Sequence, residues 1–494
     1  MTPKTQTAPE WDVVVIGTGM GGSAAGGICA SHGLKTLILE KNPRVGGACS
    51  YYEKDGFHLD TGTHLFCRGN KGPFGHCTRR LGLGTPIEFV QTPLMTHFKG
   101  LGVDVEVPMN PLRMVLAGPQ ICVQMRVPLH RTHRILKLLW DVMAMTDDQI
   151  RELDQVTITD FMARYLPPGR FRSVLAYLMG IFFVIPIQDA SAGEAVWCLR
   201  HLILDQSLGY PKGGTVSIPK AFLSGAQKYG AELRVNTGAK KIEVANGRVQ
   251  SVVLDNGQTV TTRAVISTTS LKDTLRMAGA AHFPASYVKR VNSLKISMAG
   301  VQAKIAVRKK LVRAGSIIGG LPFTVKRTDP DHIEDMYENI KKGKISLYQQ
   351  IYAPIPTNYD PSLAPDGCQI ITAAGIAPNL EIPEAVDQSV WIDGLMKSLH
   401  AMIPGLEENM IFCDTWTTKK MSAWMGKSPG GAISNGQYIG QAGPDRPCHE
   451  TAVKGLYIAG DSAGATRGVG TELACQSGMD CADLVARHKK DSLI

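Results

Sequence analysis

The sequence predicts an α/β protein in which a Rossmann-type nucleotide-binding domain is assembled from separate parts of the chain and carries an inserted α+β domain. Three observations predict this class. A short apolar strand at residues 12–16 runs directly into a glycine-rich motif, as in dinucleotide-binding folds. A second short apolar strand, at residues 456–459, lies near the other end of the chain. The 494 residues also exceed the roughly 250–300 at which one hydrophobic core usually stops growing.

Composition restricts the class of protein further. Hydrophobic residues make up 44% of the chain and charged residues 19%, as in ordinary globular proteins. No segment reaches the roughly 20 apolar residues that a membrane-spanning helix needs. The polar start of the chain lacks the charged-then-apolar order of a secretory signal, so a cytoplasmic protein is expected.

The cysteines and the net charge argue against several kinds of site. The 11 cysteines show no paired CxxC spacing and no cluster with histidine, so we expect free thiols and no metal site. Lys and Arg number 53 against 43 Asp and Glu, and the resulting net charge of +10 favours anionic surfaces. No basic block with interleaved aromatic residues stands out, so nucleic acid is not an expected partner, whereas anionic lipid head groups stay open.

The amino-terminal motif has the residues that a bound pyrophosphate requires. It reads Gly17-Thr18-Gly19-Met20-Gly21-Gly22. Gly17 permits the tight turn, Gly19 lets the backbone approach the phosphates, and Gly22 allows close packing of the next helix on the sheet. That helix, predicted at residues 23–32, points its positive end at the phosphates. The second strand, predicted at 34–39, ends at Glu40, whose carboxylate can accept hydrogen bonds from ribose hydroxyls.

Further blocks of the sequence resemble those of a known family. They contain Lys41, Gly46, Gly47, Gly62, Thr63, His64, Gly460, Asp461, Gly470 and Thr471. Together with residues 210–214, these blocks resemble the phytoene desaturase-like branch of the FAD-dependent amine oxidase superfamily, which contains carotenoid desaturases, carotenoid isomerases and retinol saturases. The resemblance implies a non-covalently bound FAD, with these ten residues as candidate contacts.

The resemblance also implies roles for single residues. Gly46 and Gly47 would pass close to the FAD diphosphate, and Asp461 would bind the ribityl chain. A helix predicted at about 471–487 would aim its positive end at the flavin pyrimidine and stabilise the anionic reduced ring. A unit of short strands at 210–269, with turn signals at Asn246-Gly247 and Asn256-Gly257, would support the adenine side, with a backbone contact near Ala239.

The blocks divide the chain into two discontinuous domains. We predict the FAD-binding domain at residues 1–73, 210–269 and 436–494, and the substrate domain at 74–209 and 270–435. No second strand-GxGxxG-helix unit occurs, so a dedicated NAD(P)H domain is not expected. Electrons would then enter or leave the flavin in another way. Oxygen, a membrane quinone, a nicotinamide that binds and leaves, or a redox-neutral cycle in which the flavin is only a catalyst would each fit.

Two segments of the predicted substrate domain point to an apolar substrate. Residues 129–145 form a basic amphipathic helix, which either lies on an anionic membrane surface or is an ordinary helix with a solvated basic face. Residues 174–187 are apolar throughout but too short to span a membrane, and they either line an apolar tunnel or form the domain core. A long isoprenoid delivered from a membrane fits both segments. The rest of this domain predicts strands around 296–307, a loop at 352–365 and a helix around 390–403.

Two titratable residues are candidates for proton transfer beside the flavin. Glu472 stands at the start of the terminal helix, where it either works as acid and base or pairs with the helix dipole. His64 closes a Gly-x-His sequence that retinol-saturase-like members also carry, and it either contacts cofactor or substrate or is structural. Arg467 is a further candidate near the ring, with a structural role as the alternative.

The sequence therefore predicts an FAD-dependent oxidoreductase that acts on carbon–carbon double bonds of an isoprenoid or carotenoid-like lipid, as desaturase, saturase or isomerase, by hydride transfer at the flavin N5. One alternative is a flavin amine oxidase, which needs an aromatic cage, although aromatic residues make up only 6% of the chain. The other is an FAD-binding escort of a lipid or prenylated partner, as in the Rab-escort relatives of this superfamily.

Overall fold

The computed structural model describes residues 10–494 except 65, 85–86, 125–126, 128, 321–330, 346–348, 383–386 and 428. Its strands form two large sheets and two small ones. In chain order they are β1 Trp11–Ile16, β2 Thr36–Leu39, β3 Tyr51–Lys54, β4 Phe57–Asp60, β5 Phe89–Val90, β6 Leu94–Gly100, β7 Val103–Pro108, β8 Tyr210–Pro211, β9 Glu232–Arg234, β10 Ala239–Ala245, β11 Arg248–Leu254, β12 Thr259–Ser267, β13 Ala299–Val307, β14 Ser316–Gly319, β15 Ile351–Pro354, β16 Gln369–Ala377, β17 Met410–Trp416 and β18 Leu456–Ile458.

Some helices pack on the two large sheets, and others form an apolar core of their own. In chain order they are α1 Met20–Ser31, α2 Pro73–Arg80, α3 Pro111–Gln124, α4 Thr132–Ala144, α5 Asp147–Glu152, α6 Ile158–Ala163, α7 Arg170–Phe183, α8 Ala192–Asp205, α9 Ser217–Lys228, α10 Leu271–Ala278, α11 Ala285–Ser293, α12 Asp331–Lys341, α13 Pro356–Tyr359, α14 Ser389–Met402, α15 Leu406–Asn409, α16 Thr418–Met425 and α17 Gly470–Lys490.

The first large sheet is the nucleotide-binding sheet. Its parallel part has the order β9-β2-β1-β12-β18, with Val13 of β1 paired to Thr36 and Ala264 on its two sides. β12 also continues into an antiparallel unit with β11 and β10. Both ends and the middle of the chain contribute strands, so the predicted Rossmann-type α/β class is confirmed.

Helix α1 packs on this sheet through very small residues. A methyl group in place of the hydrogen of Gly26 would lie 2.4 Å from Cδ1 of Ile38 on β2. One at Gly478 of α17 would lie 2.2 Å from the carbonyl oxygen of Gly21. α1 begins at Met20 rather than at the predicted residue 23, because Gly19 already has the extended conformation of an N-cap.

The predicted hairpin turn between β10 and β11 is confirmed. Asn246 and Gly247 have positive φ angles of 51° and 69°, as the type I′ turn requires at its two central residues. The strand that follows, β11, pairs with β12 in register from Ser251 opposite Thr261. This small antiparallel unit extends the parallel sheet on the side of β12.

The second large sheet is mostly antiparallel, with the order β17-β13-β16-β15-β14-β6-β7. Its central strands β13 and β16 pair along their whole length, from Ala299 opposite Ala377 to Val307 opposite Gln369. Helices α7 and α14 pack against it and form the largest apolar core. The predicted loop at 352–365 is wrong in its first residues, because β15 pairs there with β14 and β16.

Several helices from the predicted inserts pack on the nucleotide-binding sheet instead. Phe74 of α2 lies in the core under α1, and Leu271, Leu275 and Val291 of α10 and α11 lie in the core on the opposite face. The nucleotide-binding layer therefore includes segments beyond residues 73 and 269.

The basic amphipathic segment is a short 3-10 turn followed by α4. The predicted apolar stripe is only partly used inside the protein: Leu138 and Val142 lie in a core with α5 and α8 and Ile135 packs against it, whereas Leu139 is exposed. A second apolar stripe faces outwards, with Leu136 67% and Trp140 74% exposed. No helix in the described part of the chain is long and apolar enough to cross a bilayer.

Candidate functional site

The glycine motif forms an open cradle at the carboxyl edge of β1. Gly17 has a positive φ of 101°, and Gly22 approaches it so closely that an added methyl group would lie 2.0 Å from the Gly17 carbonyl oxygen. A methyl group on Gly19, in contrast, would meet no atom within 4 Å. The tight turn and the helix packing therefore take the places predicted for them, and the backbone at Gly19 is open to a ligand.

Glu40 lies at the end of β2 beside this cradle. Its buried carboxylate accepts hydrogen bonds from the N–H and the hydroxyl of Thr18 and, at 2.9 Å, from the N–H of Asn42. A carboxylate has about four lone-pair sites, so Glu40 retains acceptor capacity for a hydroxyl group. This is the geometry expected of a ribose-binding acid.

The loop after Glu40 folds over the glycine motif. Gly46 and Gly47 have positive φ angles of 111° and 57°, and a methyl group on Gly47 would lie 3.1 Å from Cα of Gly19. Trp424 of α16 holds the loop by donating from Nε1 to the Gly47 carbonyl at 3.2 Å. The ammonium of Lys41, a predicted cofactor contact, donates to the Ala423 carbonyl of α16.

The segment with Gly460 and Gly470, near the carboxyl end of the chain, meets the cradle on the side away from the loop after Glu40. A methyl group on Gly21 would lie 3.0 Å from Cα of Gly460, whose own open face has no atom within 4 Å of an added methyl group. Gly470 at the start of α17 is similarly open, and α17 has no side-chain cap at its start, beside Thr471. The positive ends of α1 and α17 therefore carry unsatisfied backbone donors.

Asp461 follows Gly460 and is buried with an ammonium group. Lys427 donates to its carboxylate at 2.6 Å, and the N–H of Ser434 lies 3.3 Å from the same oxygen. Burial alone would raise the pKa of Asp461, but Lys427 and Ser434 lower it below its ordinary value. The carboxylate stays ionised and able to accept hydrogen bonds from hydroxyls.

β4 and the segment that begins at Tyr210 lie beside the cradle and complete its wall. Asp60 accepts hydrogen bonds from the N–H and hydroxyl of Thr215, at 3.1 and 2.9 Å, and from the hydroxyl of Tyr210. Gly62 lies against the Ala48 carbonyl, and the buried hydroxyl oxygen of Thr63 has no partner among the described residues. Ala239 begins β10 and is half-buried opposite Leu254.

These observations fit an extended dinucleotide. The open faces of Gly19 and Gly460 follow the carboxyl ends of the parallel strands β1 and β18, so they lie at one edge of the sheet, with the ribose-type acid Glu40 and the ionised Asp461 beside them. The unpartnered hydroxyl of Thr63 adds a polar group without an internal partner among the described residues.

His64 is tied to the loop that folds over the cradle. Its Nε2 lies 2.9 Å from the Ala48 carbonyl and 3.5 Å from Sγ of Cys49, and its own carbonyl accepts from the Tyr352 hydroxyl at 3.2 Å. Burial lowers the pKa of His64, so the ring is neutral and donates from Nε2 to Ala48. His64 thus orders the loop and can offer only Nδ1 to a ligand.

Glu472 is the titratable group at the start of α17. One carboxylate oxygen accepts from the N–H groups of Cys67 and Arg68, both at 2.9 Å. Burial raises the pKa of Glu472 to about 7, against the opposing effect of these N–H groups and of the Arg68 guanidinium. A carboxyl group with this pKa can hold or release a proton near neutral pH.

Lys304 of β13 is a buried cation that sequence reasoning missed. Its ammonium donates to Oε1 of Gln302 and lies 4.5 Å from the centre of the Trp416 ring. Burial lowers the pKa of Lys304 to about 7, and the charge of Lys420 contributes to this shift. No local motif marks Lys304, because the residues around it come from β17 and α16.

Arg467 was a candidate near the flavin ring, with a structural role as the alternative, and its contacts show the structural role. It forms two hydrogen bonds of 2.7 Å with Asp154. Beside it, the fully buried Glu194 accepts from Arg446 at 3.3 Å and from the Gly468 N–H at 3.0 Å. This network, which the sequence does not predict, fixes the loop that leads into α17.

Comparisons with known proteins cover most of the chain. A family model described as flavin containing amine oxidoreductase matches residues 24–486. The chloroplast prolycopene isomerase of Daucus carota is 27% identical over 97% of this chain and 80% of its own length. A 4,4'-diapolycopene oxygenase from Methylomonas sp is 23% identical over 83% of this chain and 85% of its own. Among solved structures, an oxidoreductase from Methanosarcina mazei shares the fold, with a TM-score of 0.72 at 17% identity over 96% of this chain and 100% of that one.

Proposed function

Because the chain belongs to the family of flavin-containing amine oxidoreductases and is an FAD-dependent oxidoreductase, we propose that it acts on carbon–carbon double bonds of a long isoprenoid related to the carotenoids. The observation that carries this proposal is the extent of the similarity to prolycopene isomerase, which covers 97% of the chain and so includes the second sheet. An amine oxidase and an escort protein are less well supported, because this relative and the diapolycopene oxygenase are both named for polyenes.

The cradle would hold FAD along the edge of the nucleotide-binding sheet. Glu40 would accept from the ribose hydroxyls, and the open backbone at Gly19 together with the positive end of α1 would hold the diphosphate. Asp461 would accept from the ribityl hydroxyls, and the positive end of α17 would face the flavin pyrimidine.

When bound, FAD supplies hydride transfer at the flavin N5. In this chain Glu472 has the pKa suited to hold the paired proton on its carboxyl oxygen, since half of it is protonated near pH 7. The N–H groups of Cys67 and Arg68 orient that carboxyl group, and His64 keeps the neighbouring loop in place while neutral. Glu472 is therefore the proposed acid and base, and His64 is a positioning residue.

The apolar side chains of helix α7 are evidence for a long apolar substrate. Ala176, Tyr177 and Phe183 are buried against the second sheet, whereas a stripe at i, i+3, i+4 and i+7 stays half-buried and entirely apolar. That stripe consists of Leu175, Leu178, Met179 and Phe182. An apolar wall of this kind suits a hydrocarbon that offers no group for polar recognition.

The enzyme would meet this lipid at a membrane surface. The outward stripe of α4 and a second stripe on α3, with Leu112 69% and Leu116 73% exposed, present apolar side chains to solvent. Such faces bind the boundary between head groups and acyl chains. Localisation to the cytoplasmic side of a membrane is part of the proposal.

The proposal is tested by lipid extraction from bacterial strains that accumulate either prolycopene or phytoene. Strains carrying the wild-type chain should convert one polyene, and strains carrying Glu40→Ala, which should not retain FAD, should convert neither. A product with the same number of double bonds would identify a redox-neutral isomerase, whereas a changed number would require an external acceptor or donor such as oxygen or a quinone. Unchanged polyenes beside wild-type consumption of an added amine would contradict the proposal.

A further inference from the structure

A cleft between α4 and the start of α7 is lined by four arginines and lies outside the proposed FAD site. Its volume is about 60 Å³, and Ile135 and Phe171 add apolar side chains to its wall. The four basic side chains are Arg131, Arg134, Arg170 and Arg172. Arginine side chains that line a small cleft can recognise an oxyanion through charge-assisted hydrogen bonds.

Three of the four arginines have no acidic partner, because no carboxylate in the described part of the chain lies within salt-bridge distance of Arg131, Arg134 or Arg172. The acid on α4, Asp141, is already bound by Lys137 and by the Tyr165 hydroxyl, both at 2.8 Å. Arg170 donates to the carbonyls of Gly102 and Gln124, which fixes it in the wall of the cleft.

The backbone adds to the positive potential. Helix α7 begins at Arg170, has no side-chain cap and has no acidic residue in its first turn. The N–H groups of its first turn, which no residue within the helix can bind, therefore lie in the same segment as the arginines. This combination concentrates positive charge where an acidic first turn would be usual.

The cleft is flanked by the outward apolar stripes. On α4, Leu136, Leu139 and Trp140 are exposed and lie at i, i+3 and i+4, on the turns that follow Arg131 and Arg134. On α3, Leu112, Leu116 and Val123 are 69%, 73% and 75% exposed and share one helical face. An anion bound here would sit beside side chains that require an apolar surrounding.

We propose that this cleft binds the phosphate group of an anionic membrane lipid and so fixes the orientation of the enzyme on the bilayer. Charge complementarity identifies the phosphate, and the flanking apolar stripes identify the acyl chains that accompany it. The inference rests on the proposed membrane encounter, and it adds a preference for anionic lipid that the apolar stripes alone would not give.

The test is flotation of the FAD-loaded protein with vesicles of phosphatidylcholine, with and without phosphatidylglycerol. Wild type should bind the phosphatidylglycerol vesicles more tightly, and Arg131→Gln/Arg134→Gln should weaken that binding on the order of 30-fold, because each basic residue near the surface contributes about five-fold. Lys309→Gln/Lys310→Gln removes two exposed charges in the turn after β13 and is the matched control. It should bind like wild type.

Three outcomes would overturn the inference. They are equal binding of the two double variants, no preference of wild type for phosphatidylglycerol, and release from vesicles by inorganic phosphate at the concentration of the lipid phosphate. Turnover of the polyene in detergent distinguishes a failure of the lipid-phosphate cleft from a failure of the proposed function. The turnover should be the same in wild type and in Arg131→Gln/Arg134→Gln. If wild type showed no turnover, the proposed function would be contradicted.

Discussion

Replacing Glu472 by glutamine tests the titration proposed for the acid of this site. The introduced amide retains an oxygen that can accept from the N–H groups of Cys67 and Arg68, so the loop contact should survive. The variant removes only the carboxylate that burial disfavours. Glu472→Gln should therefore change the pH dependence of stability without disturbing the fold.

The magnitude follows from the pKa. Raising it from 4.5 to about 7 corresponds to up to about 3 kcal/mol against the carboxylate in the folded protein. Below pH 4.5 the Glu472 carboxyl group is protonated in both the folded and the unfolded chain, so the wild-type protein does not bear this cost. As the pH rises towards 7 the unfolded chain ionises first, and the free energy of unfolding of the wild type falls. The fall is complete above pH 7.

The assay is urea unfolding of wild type and Glu472→Gln between pH 5 and pH 8, with a substitution of the exposed Glu53 of β3, Glu53→Gln, as control. The advantage of Glu472→Gln in the free energy of unfolding should grow with pH and level off above 7. Polyene turnover should lose the ionisation near 7 in the same variant. An advantage that is independent of pH, or one that grows as the pH falls, would refute the reasoning.

Three further predictions concern other parts of the site. Glu40→Ala should purify without FAD, measured by flavin absorbance, whereas Glu53→Ala should retain it; full occupancy in Glu40→Ala would remove the ribose contact from the account. Glu194→Gln leaves Arg446 buried and uncompensated, so it should lose about 3–5 kcal/mol of stability in urea, and a loss below about 1 kcal/mol would show that the network does not fix the loop before α17. Lys304→Met should stabilise the protein more at pH 7 than at pH 10. The reason is that the amine of Lys304 has a pKa of 10.5 in the unfolded chain and of about 7 in the folded one, so burial of this amine costs more at pH 7 than at pH 10. The opposite order of the unfolding midpoints would contradict the burial of Lys304 as a near-neutral amine.

Local motifs made the nucleotide-binding half predictable. Gly17, Gly22 and Glu40 act through their own backbone turn or strand end, so their roles can be read from neighbouring residues. The same holds for Gly460, where a glycine at the end of an apolar strand lets Gly21 approach closely.

The missed residues depend on distant contacts. Lys427 and Trp424 reach Asp461 and Gly47 from α16 and the loop after it, and Lys304 is buried only because β17 and α16 cover it. Lys41 also makes a distant contact, since its ammonium donates to the Ala423 carbonyl, and its contact with the cofactor stays a prediction. In α4 the periodicity was correct, but the stripe with Leu138 faces a core, so the outward stripe could not be recognised before the packing was known.

The most direct test of the central claim is the absorbance of the FAD-loaded protein when polyene or amine is added without oxygen. A carotenoid-like polyene should be converted in at least one of two samples, one with the flavin oxidised and one with it reduced by dithionite beforehand, and putrescine should leave the flavin band of the oxidised sample unchanged. Reduction of the flavin by the amine, with the polyene recovered unaltered, would contradict the account.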